Sequence, residues 1–305
     1  MVAHYSLRTT TPENSLLLPK GGRWAEQARL TRAALRRNPL GSVGFLLLVG
    51  MIVVAIFAHQ IAPYDPFLPK VAERLQPPSL AHPFGTDTMG RDILSRVIHG
   101  SRISLRVAAL VLAIALGVGA AVGAAGGYLG GLFDEVVMRV TDIFLAFPPL
   151  ILALAVNAGL GPGIESAMFA VAFSWWPGYA RTIRAQVLSA KNNLYVEAAR
   201  AVGATHSRVL LLHVLPNCVS PTIVQLTLDA GYVVLTTAGL SFVGLGAQPP
   251  TPEWGFMVSE GRKFILSQWW SPTFPGLAIC LLVMGFNLFG DFLRDLLDPR
   301  LRGVY

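Results

Sequence analysis

The sequence predicts an all-α, polytopic membrane protein with six transmembrane helices. The first observation is composition: 53% of the 305 residues are hydrophobic and 13% are charged, whereas a soluble domain carries about 25% charged residues. The second is length, because six apolar stretches reach the roughly 20 residues that a helix needs to cross a bilayer. The third is an uneven distribution of Lys and Arg between the segments that join these stretches.

The six stretches differ in how regular they are. They cover residues 42–62, 102–127, 139–160, 164–186, 219–244 and 272–292. The third and fourth contain proline, which a helix bundle tolerates because neighbouring groups satisfy the freed backbone. In the second, Gly119, Gly123 and Gly127 lie four residues apart on one helix face, a spacing that lets another helix approach closely.

Basic residues predict the orientation of the chain. Sixteen of the 24 Lys and Arg residues fall on the segments that share a side with the N-terminus, and eight fall on the other side. Such a bias places both termini in the cytoplasm and makes the chain a multi-pass protein of the cytoplasmic membrane. It also explains the net charge of +7 without a nucleic-acid partner, for which no binding motif is present.

These predictions divide the chain into four regions. Residues 1–41 form a cytoplasmic segment with a basic amphipathic helix that contacts membrane lipids, although a disordered basic tail is the alternative. Residues 42–101 hold the first transmembrane helix and an extracytoplasmic segment. Residues 102–295 form a core of five helices that includes a cytoplasmic loop, 190–217, and residues 296–305 form a cytoplasmic tail.

The loop between the fourth and fifth stretches reads "YVEAARAVGATHSRVLLLHVLPN" from Tyr195 to Asn217. Asn192 or Asn193 can cap a short helix, and Gly203 ends it by giving the backbone freedom at low steric cost. A second short helix follows through Leu212, and Pro216 is expected to end that helix. The first helix carries its apolar residues on one face, namely Leu194, Ala198, Ala201 and Val202. Such a face in an aqueous loop requires a partner groove.

Enzymatic motifs are missing from the sequence. There is no GxxxxGK[ST] run to cradle a nucleotide, no HExxH and no GxSxG. The two cysteines, Cys218 and Cys280, have no CxxC partner or nearby histidines. We therefore expect no catalytic residue, no metal site and no cofactor bound by this chain.

Ionisable side chains are sparse within the apolar stretches. Asp229 in the fifth stretch is the clearest one, and such a residue is a functional candidate by default; a pathway role and a packing role both remain open. Gln225 and Asn157 are further candidates for lining a substrate pathway. Asp142 lies three residues after Arg139, a spacing that predicts a structural ion pair.

Several motifs resemble one family. "EAARAVGATHSRVLLLHVLPN" resembles the EAA loop of ABC importer permeases, and its "HVLPN" end resembles the peptide/nickel permease subfamily, with His213 where the general pattern prefers Ile. "FGTDTMGRDILSRVIHGSRISL", "DIFLAFPPLILAL", "WPGYARTIRAQVL" and "LSFVGLGAQPPTPEWGFMVSEGR" are similar to the OppC/DppC-type subunit. The resemblance covers roughly residues 25–300. It departs at Thr236 and Thr237, where members often carry an acidic residue before "LSF".

The resemblance implies a type I ABC importer permease fold and a division of labour among subunits. Two cytoplasmic ATPases would use ATP and Mg, a second homologous permease would complete the pathway, and an extracytoplasmic binding protein would deliver the substrate. The loop would couple the ATPases to the bundle. The coupling residues would be Glu197, Ala198, Ala199, Arg200, Gly203, His213, Leu215 and Pro216.

More than one interpretation stays open for the transported substrate and for the role of the outer loop. The resemblance implies dipeptides or oligopeptides, or else nickel chelates, glutathione or opines. A different class, an ion-coupled secondary transporter, would leave the cytoplasmic loop without a role. Pro250, Trp254 and Glu260 would touch the binding protein, although interfacial aromatic anchoring also explains the outer loop. In "GTDTMGRD", Asp87 or Thr88 is expected to cap the next helix.

Overall fold

The computed structural model describes residues 39–297. The predicted amphipathic helix of residues 1–41 and nearly all of the tail 296–305 lie outside this range. Eleven α-helices occur within it: α1 (Pro39–Ile56), α2 (Ala58–Ile61), α3 (Ile93–Leu129), α4 (Gly131–Leu145), α5 (Pro149–Leu160), α6 (Ile164–Ala190), α7 (Leu194–Ala201), α8 (His206–Val209), α9 (Leu215–Phe242), α10 (Trp254–Gly261) and α11 (Trp270–Leu297). Over residues 39–297 the one β pairing is an isolated bridge between Thr86 and Asp92. The all-α prediction is confirmed.

Four helices of the described range are long and apolar enough to cross a membrane. They are α1, α3, the helical stretch His206–Phe242 and α11. A fifth is obtained if α4 and α5, which meet at an angle of 89°, count as one broken span. The 27-residue α6 is not among them. Six spans therefore remain a prediction.

The third predicted stretch, 139–160, consists of two helices that meet at a sharp bend. The chain breaks between Leu145 and Pro149, where α4 ends and α5 begins. Pro148 and Pro149 explain the break, because a proline clashes with the preceding turn and disfavours helical backbone in the residue before it.

Pro216 does not end the second loop helix as expected. A π-helical turn, Leu210–Val214, follows α8 and leads directly into α9. Pro216 lies in the first turn of α9, where its missing N–H costs little. The loop is therefore continuous with the span that follows it.

Close packing of α3 on α6 forms the middle of the bundle. A Cβ on Gly119 would lie 2.5 Å from the Cβ of Tyr179, and one on Gly127 would lie 3.0 Å from the carbonyl oxygen of Arg184. A Cβ on Gly123 would lie even closer to the backbone of Ala180. The glycine spacing therefore brings the two helices together as predicted. α5, α9 and α11 pack around this pair.

The connecting segments gather at two opposite ends of the bundle. At one end, residues 62–92 meet residues 245–269, where Arg91 pairs with Glu260 at 3.4 Å and the Trp254 indole N–H donates to the Val97 carbonyl at 2.9 Å. At the other end, the Lys191 ammonium donates to the Gly127 carbonyl at 2.7 Å. We call these the outer end and the inner end, following the orientation that the basic residues predict.

Helices α4 and α6 are joined by ion pairs, whereas the sequence predicted an ion pair within α4. Asp142 binds Arg181 at 2.5 Å, whereas Arg139 lies 3.8 Å from Glu135. The expected Asp142–Arg139 pair is wrong because the bend after α4 lays this helix against α6. There Arg184 also binds Asp134 through two nitrogens, at 2.5 and 2.6 Å.

Candidate functional site

The inner end carries the loop that the sequence singled out, and its first helix, α7, is held from behind by the bundle. Val196 is fully buried, and Ala199 is half-buried against the same apolar cluster. This cluster, which we call the inner cluster, combines residues of α3, α6, the loop and the start of α9: Ala124, Ile183, Val187, Ala190, Val196, Val209, Val214 and Cys218. Burial of these side chains fixes the position of α7 relative to α3 and α6.

The predicted apolar face of α7 points away from the bundle. Leu194 is 82% exposed and Val202 is 85% exposed, while Ala198 and Ala201 are exposed as well. A surface of this kind is typical of an interaction site. The helix thus has one side that the chain covers itself and one that it leaves open.

Gly203 forms the break between α7 and α8. Its φ is +86°, its N–H donates to the Arg200 carbonyl at 2.9 Å, and the Ala204 N–H donates to the Ala199 carbonyl at 3.0 Å. This is the hydrogen-bond pattern of a glycine at a helix C-terminus. The predicted break is confirmed. The expected cap Asn193 occupies the N-cap position of α7, and Thr205 that of α8, but neither makes a side-chain capping bond.

Charged side chains of the loop are exposed and mostly lack partners. Glu197, Arg200 and Arg208 form no ion pair with any residue between 39 and 297. The Arg200 guanidinium lies 5.7 Å from the centre of the Tyr128 ring, and the His206 Nδ1 lies 3.2 Å from the Tyr128 hydroxyl. Tyr128, at the end of α3, therefore links the loop to the bundle.

The remaining predicted loop residues join the loop to α9. His213 is half-buried, and its carbonyl accepts a hydrogen bond from the Asn217 side chain at 2.7 Å. Leu215 packs on the inner cluster, and Pro216 is exposed at the start of α9. Asn217 also donates to the Tyr195 hydroxyl at 3.1 Å. These contacts join α7 to the start of α9.

The predicted pathway residues do not form one group. Asp229 and Gln225 lie together on α9, beside Tyr179 of α6. Asn157 is fully buried and donates to the Leu245 carbonyl at 2.8 Å. It therefore holds the outer loop in place, while Asp229 and Gln225 remain candidates for lining a pathway.

The outer end corrects two predictions. Trp254 is 1% exposed and hydrogen-bonded to Val97, so it offers no surface to a binding protein; Pro250 is exposed.

The N-cap of α3 is Asp92, whose carboxylate accepts from the Ser95 N–H at 2.7 Å. The Asp87 carboxylate instead accepts from the Met89 and Arg91 N–H groups, in the turn before α3.

Sequence reasoning missed a buried charge cluster at the outer end. Arg96 is fully buried, 3.4 Å from Asp87 and 3.8 Å from Glu260, and Arg91 binds Asp87 at 2.7 Å. Burial raises the pKa of the Glu260 carboxyl, and the two arginines oppose that shift. We call Asp87, Arg91, Arg96 and Glu260 the outer cluster. Asp87, Arg91 and Arg96 are close in sequence, but Glu260 lies 169 residues from Arg91, so no local pattern joins it to the other three.

Comparison with known proteins assigns the chain to a class. Residues 104–303 match the family described as the binding-protein-dependent transport system inner membrane component. Residues 26–78 match the N-terminal transmembrane domain of oligopeptide transport permease C. The chain therefore belongs to the family of inner-membrane permease components of binding-protein-dependent ABC importers, and it is an inner-membrane protein.

Its relatives place it within the OppC/DppC-like group of the peptide/nickel family. It is 50% identical over 273 residues to the dipeptide transport system permease protein DppC of Escherichia coli strain K12, covering 88% of this chain and 91% of that protein. It is 45% identical to the probable D,D-dipeptide permease DdpC of the same strain, covering 88% and 90%. It is 42% identical to DppC of Alkalihalophilus pseudofirmus, covering 88% of each. These relatives are transport permeases.

Proposed function

We propose that this chain is a permease subunit of an ABC importer for short peptides, driven through the loop 190–217 by a separate ATPase. The observation that carries the coupling proposal is the two-sided packing of α7. Its Val196 side is buried on the inner cluster, and its Leu194 and Val202 side is exposed. A segment fixed to the bundle on one side and open on the other suits a mechanical link.

An ATPase groove is the partner that this surface fits. The exposed face presents apolar side chains at helical spacing, and beside it lie Glu197, Arg200 and Arg208, which form no ion pair among residues 39–297. Helices of this type bind by laying the apolar face into a groove, while flanking charges fix the orientation. Two ATPases would hydrolyse ATP with Mg; they would engage this chain and a second permease.

Transmission of motion follows from the continuity of the helices. The loop passes through the π-turn Leu210–Val214 into α9 without a flexible linker. Lys191 ties the start of the loop to the end of α3. Rotation of α7 by closing ATPases would therefore move α9 and α3 relative to each other and switch access between the two sides of the membrane.

Peptides are the cargo that the relatives support. The three relatives described above carry names of dipeptide or D,D-dipeptide transport. Nickel chelates, glutathione and opines are the alternatives within the same kind of permease, and discrimination among them would reside mainly in the extracytoplasmic binding protein. An ion-coupled secondary transporter is not supported by the family to which the chain belongs.

A reconstituted transporter tests the proposal. The chain is assembled with its second permease, its two ATPases and its binding protein in proteoliposomes, and uptake of radiolabelled dialanine is measured with ATP. We expect uptake that requires both ATP and the binding protein. Uptake of a nickel chelate, glutathione or an opine in place of dialanine would contradict the cargo proposal and leave the coupling proposal intact.

A pair of variants tests the coupling separately. Val202→Asp places a charge on the exposed face of α7, and Arg139→Gln changes an exposed residue of α4 on the same end of the bundle. Co-purification of the ATPases with the permease pair is expected to be lost in the first variant and retained in the second. Retention in both would remove the face of α7 from the interface.

A further inference from the structure

Asp229 is a carboxyl group at mid-membrane depth. It lies at the middle of α9 (Leu215–Phe242), about 20 Å from either end at 1.5 Å per residue. Tyr179 beside it packs on Gly119, which lies near the centre of the uncharged stretch 107–127 of α3. An ionisable group at such depth is costly unless it faces a polar cavity or a partner.

The surroundings of Asp229 are polar but contain no cation. Its carboxyl group adjoins the Gln225 side chain and the Tyr179 hydroxyl. That hydroxyl is buried. A carboxyl group at this depth that has polar neighbours and no cation beside it among residues 39–297 points to a positively charged ligand from outside this chain.

The nearby basic side chains are already paired. On α6, Arg181 binds Asp142 and Arg184 binds Asp134. No ion pair joins Asp229 to any Lys or Arg of the described residues 39–297. Asp229 is only half-buried, so its carboxyl group is open to a cation that comes from elsewhere.

We propose that Asp229, Gln225 and Tyr179 bind the α-ammonium group of a peptide as it crosses the membrane. An ammonium group has three N–H donors, and these side chains offer three oxygen acceptors. A charge-assisted hydrogen bond to the carboxylate is the strongest of the three. This inference rests on the proposed peptide function and adds the part of the cargo that this chain recognises.

The test uses the complete transporter in proteoliposomes, with Asp229→Asn, Asp229→Glu and Tyr179→Phe. The first variant keeps the size of the side chain and removes its charge, whereas the second keeps the charge. Thr227→Val is the matched control, because Thr227 lies on the same helix and bonds only its own backbone at Ile223. Three quantities are measured: recovery of the assembled complex, ATP hydrolysis stimulated by the binding protein, and uptake of dialanine.

We expect Asp229→Asn to lower dialanine uptake about tenfold or more, with complex recovery and stimulated ATP hydrolysis unchanged. Asp229→Glu and Thr227→Val should retain most of the uptake. Tyr179→Phe should lower it about threefold, because a neutral hydrogen bond is weaker than a charged one.

Two results would overturn the proposal. Unchanged uptake by Asp229→Asn would show that the carboxylate does not meet the cargo. Loss of complex recovery in that variant, with recovery restored by Asp229→Glu, would show that it pairs with a basic residue of the second permease. A wild-type transporter that moves no dialanine would instead contradict the proposed function itself.

Discussion

The two ends of this molecule treat charged and apolar side chains in opposite ways. At the outer end, Arg96 is buried between Asp87 and Glu260, and Trp254 is buried with its indole N–H bonded. At the inner end, Leu194 and Val202 are exposed, and the nearby charges of the loop are unpaired within residues 39–297. The outer end therefore pairs its buried charges within the chain, whereas the inner end leaves a surface for a partner.

This difference predicts whether a mutation at each end alters the stability of the chain or the activity of the assembled transporter. Changes to the outer cluster should alter the stability of the isolated chain, because the interactions that they remove are internal. Changes to the exposed side of α7 should spare stability and alter only what the assembled transporter does. Four predictions test that separation, from the largest expected effect to the smallest.

The largest effect is expected from Arg96→Met. Removing this guanidinium leaves the buried carboxylate of Asp87 and the half-buried one of Glu260 with Arg91 alone, and breaking a buried ion pair costs about 3 kcal/mol. Thermal unfolding of the purified chain in detergent measures the loss. Arg208→Met, an exposed change at the inner end, is the control and should stay within about 0.5 kcal/mol of wild type. Equal losses of stability in the two variants would contradict the proposed difference between the outer and inner ends.

Gly203→Pro should abolish coupled transport. Proline requires a φ near −65° and has no N–H, whereas Gly203 has a φ of +86° and donates to the Arg200 carbonyl. Gly203→Ala is milder, with a cost of about 1 kcal/mol for a residue held at positive φ. Peptide uptake is measured beside membrane insertion, which should be normal in both variants. Full uptake by Gly203→Pro would rule out a coupling role for this turn.

Two matched variants of α7 distinguish the role of its exposed side from that of its buried side. Leu194→Ser changes the 82% exposed side, and Val196→Ser changes the fully buried one. We expect Leu194→Ser to weaken ATPase binding about tenfold without altering unfolding, because an apolar contact with the partner is lost. Val196→Ser should lower the unfolding temperature by creating a cavity and burying a hydroxyl. Titration of ATPase onto the permease pair and thermal unfolding measure the two effects, and reversed results would contradict the assignment of sides.

The smallest effect concerns the pH dependence of the outer end. Burial raises the pKa of Glu260 above its usual value, so the folded chain binds this proton more tightly than the unfolded chain. Below the usual carboxyl pKa, Glu260 is protonated in both states and does not lower the free energy of unfolding. As pH rises through the raised pKa of the folded state, the free energy of unfolding falls. Unfolding temperatures across the acidic range should show less of this fall in Glu260→Gln. A profile identical to wild type would exclude Glu260 as a contributor.

Local patterns predicted the inner end well. The break at Gly203 and the apolar face of Leu194 and Val202 follow from residue type and helical spacing within about ten residues, and the structure shows both. The spacing of Gly119, Gly123 and Gly127 likewise predicted the approach of α3 to α6. In each case the deciding residues are neighbours along the chain or lie on one helix face.

The outer end resisted prediction because its interactions are distant in sequence. Arg91 and Glu260 are 169 residues apart, and Trp254 bonds to Val97 across 157 residues. Burial of Trp254 and of Arg96 depends on how the outer segments fold over the bundle, which no local pattern records. Sequence reasoning also missed the pairing of Asp142 with Arg181, because that pairing depends on the bend between α4 and α5.

Amide hydrogen exchange of the permease pair, with and without its ATPases, tests the central claim most directly. ATPase binding should strongly slow exchange of the α7 amides between residues 194 and 204, because these lie on the surface left open. The segment 84–96 at the outer end should exchange as before, because its partners are internal. Unchanged exchange in α7 on binding of the ATPases would contradict the account.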